Sequence, residues 1–267
     1  MPLDLPRPLP VMAAAKAVMA GRAGCFLVRA RGDGPWMVVL GEAHARAAHP
    51  LGSLAKIPLL LASTRSPTGL SWVCAGPGGK PPCWTRHGLV DAEHMLAHSC
   101  GTAAARHGEA LGRPLLLASL ARAGFGRKTQ SLPGDEETGH VPRMASAGQL
   151  ASGRAWQLTG TPLQVAVLMQ RLAGQDAGPQ NPATAVTLAG LRLGVREGTA
   201  AGLDQVGFLA GKTGTALDGR GGRDGWFAGW TRQWVVVAWL RGGTGYGTAR
   251  TVVRAWARAA RIGGARP

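Results

Sequence analysis

The spacing of apolar residues near the N-terminus predicts a helix followed by a β-hairpin. Residues 10–22 have a helical composition. Two short apolar runs follow, at 25–28 and 36–40, with the Gly/Pro-containing segment 31–35 between them. Because turn-forming residues separate two strand-like runs, we expect the runs to pair with each other.

The middle of the chain has mostly helical spacing, and the last part returns to strands. The pattern predicts helices near 53–64, 91–110, 114–123, 162–174 and 182–194. Strand-like runs then occupy 206–215, 225–231 and 234–241, and a final helix is predicted at about 246–261.

This order of elements predicts one α/β domain, more narrowly α+β, over residues 1–267. We expect an antiparallel sheet of about five strands, built from both termini and flanked by helices, with an all-helical lobe inserted between them. The sheet lobe would comprise 1–52 and 200–267, and the helical lobe about 53–199. A cleft is expected where the two lobes meet.

Composition and charge narrow the class of protein only a little. Hydrophobic residues make up 45% of the chain, and no uninterrupted apolar run approaches the ~20 residues that span a bilayer, which predicts a soluble globular protein. The net charge of +16 comes mainly from arginines spread along the chain. Because the basic, aromatic-rich patterns of nucleic-acid binding are missing, we expect no nucleic-acid partner. An anionic cell-wall polymer, a lipid surface or simple arginine bias accounts for the charge equally well.

No export signal stands out near the N-terminus. Lys16 interrupts the apolar stretch 11–20, which argues against a signal peptide or a membrane anchor. Cys25 follows Ala-Gly as in a lipoprotein site, but Arg22 and the missing apolar segment before it argue against lipidation.

Two cysteines flank a Gly/Pro-rich turn at 75–82. A short hairpin there would bring Cys74 and Cys83 within bridging distance. A disulfide, which would imply an oxidising compartment, and two free thiols are both open.

Ser53 and Lys56 form the first candidate for chemistry. They lie three residues apart after a plausible helix start, so both side chains would share one helical face. A serine hydroxyl becomes nucleophilic when a neighbouring base takes its proton, and a lysine whose pKa is lowered by burial can be that base. Taken alone, the pair also fits a helix-capping serine beside a solvated lysine.

The second candidate is Lys212-Thr213-Gly214-Thr215, at the end of the apolar run 206–210. A cation and two hydroxyls on an edge strand can hold a carboxylate, and the glycine lets a ligand approach the backbone. A phosphate-binding loop over 207–213 is rejected because it has one residue too few between its glycines and a strand follows it.

Together the two motifs resemble the Ser-x-x-Lys and Lys-Thr-Gly set of penicillin-binding proteins and serine β-lactamases. Further segments, in order, are similar to the transpeptidase domain of class B penicillin-binding proteins, so that the resemblance covers nearly the whole chain. These segments are CWTRHG at 83–88, SCGT at 99–102, FG at 125–126 with LPGD at 132–135, TPLQ at 161–164 and GTA at 198–200.

The resemblance implies an acyl-transfer enzyme of the peptidoglycan D,D-transpeptidase type, acting in the periplasm or elsewhere outside the cytoplasm. It implies that a D-Ala-D-Ala stem peptide or a β-lactam acylates Ser53, that Lys56 accepts the serine proton, and that Ser99 relays this proton to the leaving group. A cell-wall or membrane-associated protein partner is compatible with it, and no cofactor is implied. The residues implied in substrate binding are Gly101, Lys212, Thr213, Gly214 and Thr215, and the backbone N–H groups of Ser53 and Thr215 would form the oxyanion hole.

Gly101 departs from the family pattern, in which this motif ends in asparagine. Losing one such amide contact costs on the order of 10²–10³ in rate. A slower transpeptidase, a neighbouring group that replaces the amide, and a catalytically weakened sensor or scaffold all stay open. A D,D-carboxypeptidase or a β-lactamase stays open as well. Glu93 and Glu109 are the carboxylates considered for a deacylating base, and nothing in the sequence places either near Ser53.

A metal site is the remaining alternative. His94 and His98 lie four residues apart on a predicted helix and would need Cys83 or Cys100 as further ligands. No second ligand pair at metal spacing accompanies them, so we expect no metal.

Overall fold

The elements follow the predicted order along a computed structural model that describes residues 8–32, 36–63, 67 and 69–262. The strands are β1 (Gly24–Ala30), β2 (Trp36–Leu40), β3 (His49–Pro50), β4 (Ser71–Cys74), β5 (Gly88–Asp91), β6 (Thr159–Gly160), β7 (Phe208–Leu217), β8 (Arg223–Thr231) and β9 (Trp234–Arg241). The helices are α1 (Pro8–Met19), α2 (Glu42–Arg46), α3 (Lys56–Leu61), α4 (Ala92–Ala97), α5 (Gly101–Leu111), α6 (Arg113–Ala123), α7 (Ala147–Ser152), α8 (Pro162–Gln175), α9 (Pro182–Arg196) and α10 (Gly245–Ile262).

Both ends of the chain meet in one antiparallel sheet. Its strands lie in the order β2-β1-β9-β8-β7, so the N-terminal hairpin extends the C-terminal meander. β1 pairs with β9 along its whole length, with Gly24 opposite Leu240 and Ala30 opposite Trp234. The predicted five-stranded sheet and the mixed α/β fold class are confirmed.

The sheet is covered on both faces, and its side chains alternate between two hydrophobic clusters. Phe26 and Val28 of β1 lie in the cluster formed with α1 and α10, whereas Cys25 and Leu27 lie in the cluster shared with the middle of the chain. Successive side chains of a strand point to opposite faces. A strand buried on both faces therefore reads as a continuous apolar run, as β9 does.

The middle of the chain, from α3 to α9, is mainly helical but also contains two short antiparallel strand pairs. β3 pairs with β6, and β4 pairs with β5. Val73 and Leu89 of the β4–β5 hairpin are 60% and 74% exposed. Such short, partly solvated strands carry too weak an alternation to be recognised in the sequence. The proposed division into two lobes stays a prediction.

The predicted helix over 91–110 is two helices, α4 and α5. Ser99, between them, has a φ of 59°, in the left-handed region, where a helix cannot continue. Asp91 caps α4 by accepting a hydrogen bond from the backbone N–H of His94 at 2.8 Å, and Cys100 is the N-cap of α5. Within the described part, no helix is both long enough and apolar enough to cross a bilayer.

Candidate active site

Ser53 lies in a 3₁₀ turn, Gly52–Ala55, that packs directly against β7. Gly52 has a φ of 52°, and a Cβ built on it would lie 2.5 Å from the carbonyl oxygen of Thr215. Only glycine permits both this backbone conformation and this close approach. The turn therefore holds Ser53 beside the strand that carries the Lys-Thr-Gly motif.

Lys56, the first residue of α3, is buried and directs its amine toward the serine. Its Nζ donates hydrogen bonds to Ser53 Oγ at 2.9 Å and to the carbonyl oxygen of Ser152 at 2.8 Å. Burial lowers the pKa of Lys56 to about 8, and the charge of Arg154 contributes to the shift. Part of the amine is therefore unprotonated near neutral pH and can accept a proton.

A second serine–lysine pair faces the first. Lys212 Nζ donates hydrogen bonds to Ser99 Oγ at 2.7 Å and to the carbonyl oxygen of Thr213 at 2.8 Å. Burial, and then the charge of Lys56, lower the pKa of Lys212 well below its usual value. The two buried amines therefore compete to carry positive charge.

Two threonines of β7 present their hydroxyls on one face of the strand, because alternate residues share a face. Thr213 Oγ1 lies 2.5 Å from Thr199 Oγ1, and Thr215 Oγ1 accepts a hydrogen bond from the backbone N–H of Gly245 at 2.8 Å. Gly214, between them, packs against the turn that carries Ser53.

A cavity of about 700 Å³ joins these groups. Three aromatic side chains, Trp84, Trp156 and Tyr246, line it together with Ser53, Lys56 and Ser99. Six of the site residues predicted from the sequence line the cavity: Ser53, Lys56, Ser99, Gly101, Thr213 and Thr215. The other two are adjacent, since Lys212 is hydrogen-bonded to Ser99 and Gly214 lies between the two threonines on β7. The structure thus brings the predicted set together, and the role of each residue stays a prediction.

The sequence model of one family matches most of the chain: the penicillin-binding protein transpeptidase domain matches residues 76–257. This chain belongs to that family. The match begins after Ser53 and Lys56, so the roles of these two residues rest on the geometry described above. No curated protein matches the chain.

Solved structures of other penicillin-binding proteins share the fold. PBP2 of Pseudomonas aeruginosa, solved in complex with WCK 5153, is 23% identical over 92% of this chain and 76% of its own, with a TM-score of 0.73. The D,D-transpeptidase domain of a peptidoglycan glycosyltransferase from Eggerthella lenta is 18% identical over 95% and 81%, with a TM-score of 0.75. PBP2 of Helicobacter pylori, solved in complex with MreC, is 18% identical over 94% and 62%, with a TM-score of 0.74.

Gly101 of this transpeptidase domain is the first residue of α5 and lines the cavity. The nearest atoms to a Cβ built there would be Cys83 Sγ at 3.8 Å and the Pro82 carbonyl oxygen at 3.9 Å, so a side chain fits. Arg154 also lines the cavity, donates a hydrogen bond to that carbonyl, and contributes to lowering the pKa of Lys56. A cation therefore lies beside the position where the family carries an amide.

The two carboxylates considered as a deacylating base do not line this cavity. Glu109 Oε1 instead accepts hydrogen bonds from the backbone N–H of Gly148 at 2.6 Å and from Ser146 Oγ at 3.0 Å, at the start of α7. Glu93 lies in the first turn of α4, outside the cavity lining. The structure brings neither carboxylate to Ser53.

The two histidines that the sequence analysis considered as metal ligands do not line the cavity either. The rings of His94 and His98 stack at 5.8 Å, and His94 Nδ1 pairs with Asp91 at 2.8 Å. Sequence reasoning missed a different set of four donors, Cys74, Cys83, His87 and Cys100, whose ligand atoms all lie within 4.8 Å of one another. The available signal was the occurrence of three cysteines and three histidines within 74–100.

The four cysteines of the chain are free thiols. The disulfide between Cys74 and Cys83 that the sequence left open is therefore not formed, although the two thiols do come together as the turn at 75–82 suggested. His87 lies between them, with Nδ1 3.5 Å from Cys74 Sγ and 3.6 Å from Cys83 Sγ. This cluster borders the cavity through Cys83.

Proposed function

We propose that this transpeptidase domain is a serine acyl-transferase of the peptidoglycan D,D-transpeptidase type, with Ser53 as its nucleophile. The observation that carries the proposal is the 2.9 Å hydrogen bond between Lys56 Nζ and Ser53 Oγ, made by a buried lysine whose pKa is lowered to about 8. A nucleophile in contact with such a base, at the wall of a cavity, is the arrangement that acyl transfer requires.

In the proposed acylation, Ser53 Oγ attacks the carbonyl carbon of a D-Ala-D-Ala peptide bond or of a β-lactam amide. The serine proton passes to Lys56, and the backbone N–H groups of Ser53 and Thr215 stabilise the negative oxygen that forms. When the carbon–nitrogen bond breaks, Ser99 relays the proton from Lys56 to the leaving nitrogen. The products are an ester on Ser53 and a free D-alanine, or an opened lactam ring.

Lys212 and the two threonines are proposed to bind the substrate carboxylate. A carboxylate arriving beside Thr213 and Thr215 would raise the pKa of Lys212 and hold it as a cation. Because the charge of Lys212 and that of Lys56 oppose each other, the cation on Lys212 would then favour the neutral amine of Lys56. Substrate binding would thus prepare the base for the step that follows.

The second half of the reaction distinguishes the members of the family. An amine acceptor gives transpeptidation, whereas water gives a D,D-carboxypeptidase or a β-lactamase. Among the described residues that line the cavity, none is an aspartate or a glutamate. The absence of a nearby carboxylate base at these positions favours a long-lived acyl-enzyme over rapid hydrolysis of β-lactams.

A sensor or scaffold module that is acylated slowly or not at all is the second candidate. Gly101 favours it, because the glycine supplies no amide to the lysine or to the substrate carbonyl. Location outside the cytoplasm, where peptidoglycan peptides are found, is part of the proposal. The complex of the Helicobacter pylori relative with MreC supports a cell-wall or membrane-associated protein partner for this chain too.

Intact-mass measurement after incubation with a fluorescent penicillin tests the proposal. One adduct per chain is expected, and it should be missing from Ser53→Ala. Release of D-alanine from a diacyl-Lys-D-Ala-D-Ala peptide, with and without an amine acceptor, then separates transpeptidase from carboxypeptidase. A stable adduct without peptide turnover would favour the sensor, and a folded protein without any adduct would refute the acyl-transfer proposal.

A further inference from the structure

A second cavity, of about 450 Å³, adjoins the one that contains Ser53, and residues of α5 and α7 form its walls. Ser152 and Arg154 line both cavities. The carbonyl oxygen of Ser152 accepts a hydrogen bond from Lys56 Nζ at 2.8 Å, and Lys56 Nζ contacts Ser53 Oγ at 2.9 Å. The second cavity therefore begins two hydrogen bonds away from the proposed nucleophile.

Helix α5 runs from one cavity to the other. Its first residue, Gly101, lines the active-site cavity, whereas Ala105 and Arg106, about one turn later, line the second. Residues four positions apart lie on the same face of a helix. One face of α5 therefore borders both cavities, and a ligand that extends along this face reaches from the active-site cavity to Arg106.

Two arginine side chains of the second cavity are held on one short segment of chain. Arg106 Nη2 donates a hydrogen bond to the carbonyl oxygen of Lys80 at 3.3 Å, and Arg154 donates one to the carbonyl oxygen of Pro82. A guanidinium has five N–H donors, so one such contact leaves several donors on each side chain for a ligand. Neither arginine forms an ion pair within the ranges that the structure describes. Two cations brought together without a carboxylate between them favour the binding of an anion.

Glu109 is the only carboxylate among the described residues of this lining. Its Oε1 accepts hydrogen bonds from the backbone N–H of Gly148 at 2.6 Å and from Ser146 Oγ at 3.0 Å. These donors offset part of its charge. The two arginines outnumber this carboxylate, so the lining of the second cavity carries a net positive charge.

We propose that the second cavity binds the carboxylate of the amine acceptor, and that Arg106 and Arg154 are the residues that hold it. A planar guanidinium pairs with a carboxylate through two parallel hydrogen bonds, which fix both its position and its orientation. The acceptor is then an amino acid whose attacking amine and free carboxylate share one carbon. The inference rests on the proposed function, because an acceptor is used only if an acyl-enzyme forms on Ser53.

In the proposed step, the neutral amine of the acceptor attacks the ester carbonyl carbon on Ser53. A carbon–nitrogen bond forms, the bond from that carbon to Ser53 Oγ breaks, and one amine proton passes through Lys56 to Ser53 Oγ. The products are a new amide and the free serine hydroxyl. Arg154, at the boundary of the two cavities, holds the carboxylate while the amine reaches the ester, which favours the amine over water as the acceptor.

The partition of the acyl-enzyme between water and an amine tests the inference, since this ratio of products does not depend on how fast Ser53 is acylated. The donor is a diacyl-Lys-D-Ala-D-Ala peptide, and the acceptors are glycine and glycinamide at equal concentrations of free amine. Mass spectrometry measures the amide formed with each acceptor and the hydrolysed peptide. Glycine is expected to be the better acceptor by at least about 10-fold, because glycinamide lacks the charge that strengthens hydrogen bonds to a guanidinium.

Arg106 is the informative position for a variant, because it lines the second cavity and not the first. Arg106→Gln should reduce the preference for glycine over glycinamide about 10-fold, whereas Arg106→Lys keeps the charge and should retain most of the preference. Arg254→Gln is the matched control, since Arg254 is an exposed residue of α10 outside both linings. An equal loss of preference in Arg254→Gln would show a general effect of surface charge and overturn the assignment.

The failure of this inference is distinguishable from the failure of the proposed function. An unaltered chain that uses glycine no better than glycinamide, yet forms an adduct with a fluorescent penicillin, would overturn the acceptor site and leave acyl transfer intact. A chain that forms no adduct would refute the proposed function, and the acceptor role would fall with it. If circular dichroism shows that Arg106→Gln does not fold, the comparison of the two acceptors on the unaltered chain decides the question.

Discussion

Two serine–lysine pairs face the same cavity, and they are assembled in opposite ways. Ser53 and Lys56 are three residues apart and lie 2.9 Å from each other, so one turn of helix sets their contact. Ser99 and Lys212 are 113 residues apart and lie 2.7 Å from each other. Their contact exists only because a break between two helices is packed against a strand from the other end of the chain.

The second pair depends on a series of close backbone contacts. The N–H of Thr199 donates to the carbonyl oxygen of Ala97 at 3.1 Å, at the end of α4. A Cβ built on Gly198 would lie 2.4 Å from the same oxygen. Thr199 then contacts Thr213 on β7. The contact between Ser53 and Lys56, the local pair, thus depends mainly on one turn of helix. The contact between Ser99 and Lys212, the long-range pair, requires several tertiary contacts to be in place at once.

Replacing the lysine of each pair in turn is expected to give the largest effects, and it tests whether the two pairs have different roles. Lys56→Met removes the proposed base and should lower acylation about 10²–10⁴-fold for every β-lactam. Lys212→Met should instead remove the preference for a penicillin over its methyl ester, because its proposed partner is the substrate carboxylate. Second-order rate constants for the acid and the ester, measured on both variants, check this.

Replacing a buried amine with methionine conserves volume, so both variants are expected to fold. Circular dichroism and the melting temperature provide the control for each. Equal losses for acid and ester in both variants would show that the two pairs do not have the different roles proposed here.

A substitution at Gly101, two residues after Ser99 of the long-range pair, is expected to raise the acylation rate. Gly101→Asn restores the family amide at a position where the nearest atoms to a new Cβ lie 3.8 Å and 3.9 Å away. Acylation should rise about 10–100-fold if no other group replaces the amide. Gly101→Ala is the matched control, since it adds the same Cβ without the amide and should give no gain. An unchanged rate in Gly101→Asn would indicate that a neighbour such as Arg154, which lines the same cavity, already supplies the contact.

The pH dependence of acylation reports on the local pair. The lysine must be neutral to accept the serine proton, and its pKa is lowered to about 8. The rate should therefore rise about tenfold per pH unit up to about pH 8 and level off above it. Acylation rates between pH 6 and 9 check the profile, with circular dichroism to show that the fold is unchanged. A flat profile below pH 8 would exclude Lys56 as the base that limits the rate.

The sequence predicted the local pair and the sheet, for different physical reasons. Spacing along one helix is a local property, so Ser53 and Lys56 were expected to share a face and do. Continuous apolar runs such as β9 indicated buried strands, because both faces of the sheet are covered. The placement of Ser99 and Lys212 in one site came from the family resemblance, and their direct hydrogen bond was not predicted, since no local pattern encodes a contact between residues 113 positions apart.

The cysteine cluster shows why part of the site was missed. Its four side chains come from β4, the following loop and the N-cap of α5, so their convergence depends on the fold of a hairpin with weak alternation. The left-handed backbone conformation of Ser99 could not be predicted from the sequence either, because serine has no preference for that conformation and packing must enforce it. Helix spacing favoured His94 and His98 instead, whose rings stack on each other at 5.8 Å.

The smallest effect is expected from loosening helix α7, whose last residue accepts a hydrogen bond from Lys56 of the local pair. Lys56 Nζ also donates to the carbonyl oxygen of Ser152, the last residue of α7, and Glu109 holds the other end of that helix through the N–H of Gly148. Glu109→Gln keeps an acceptor oxygen and loses the charge, so the free energy of unfolding should fall by about 1 kcal/mol. Acylation should change by less than about 3-fold, since the helix stays in place.

Thermal or urea unfolding and the acylation rate of Glu109→Gln check this, with Glu93→Gln as the control carboxylate that contacts neither α7 nor the cavity. Deacylation should be unaffected in both variants, because neither carboxylate reaches Ser53. If Glu109→Gln slowed deacylation while Glu93→Gln did not, Glu109 would be the hydrolytic base after all. The prediction of a long-lived acyl-enzyme, which was based on a cavity lining without carboxylates, would then be wrong. The protein would be better described as a hydrolase of β-lactams or peptides.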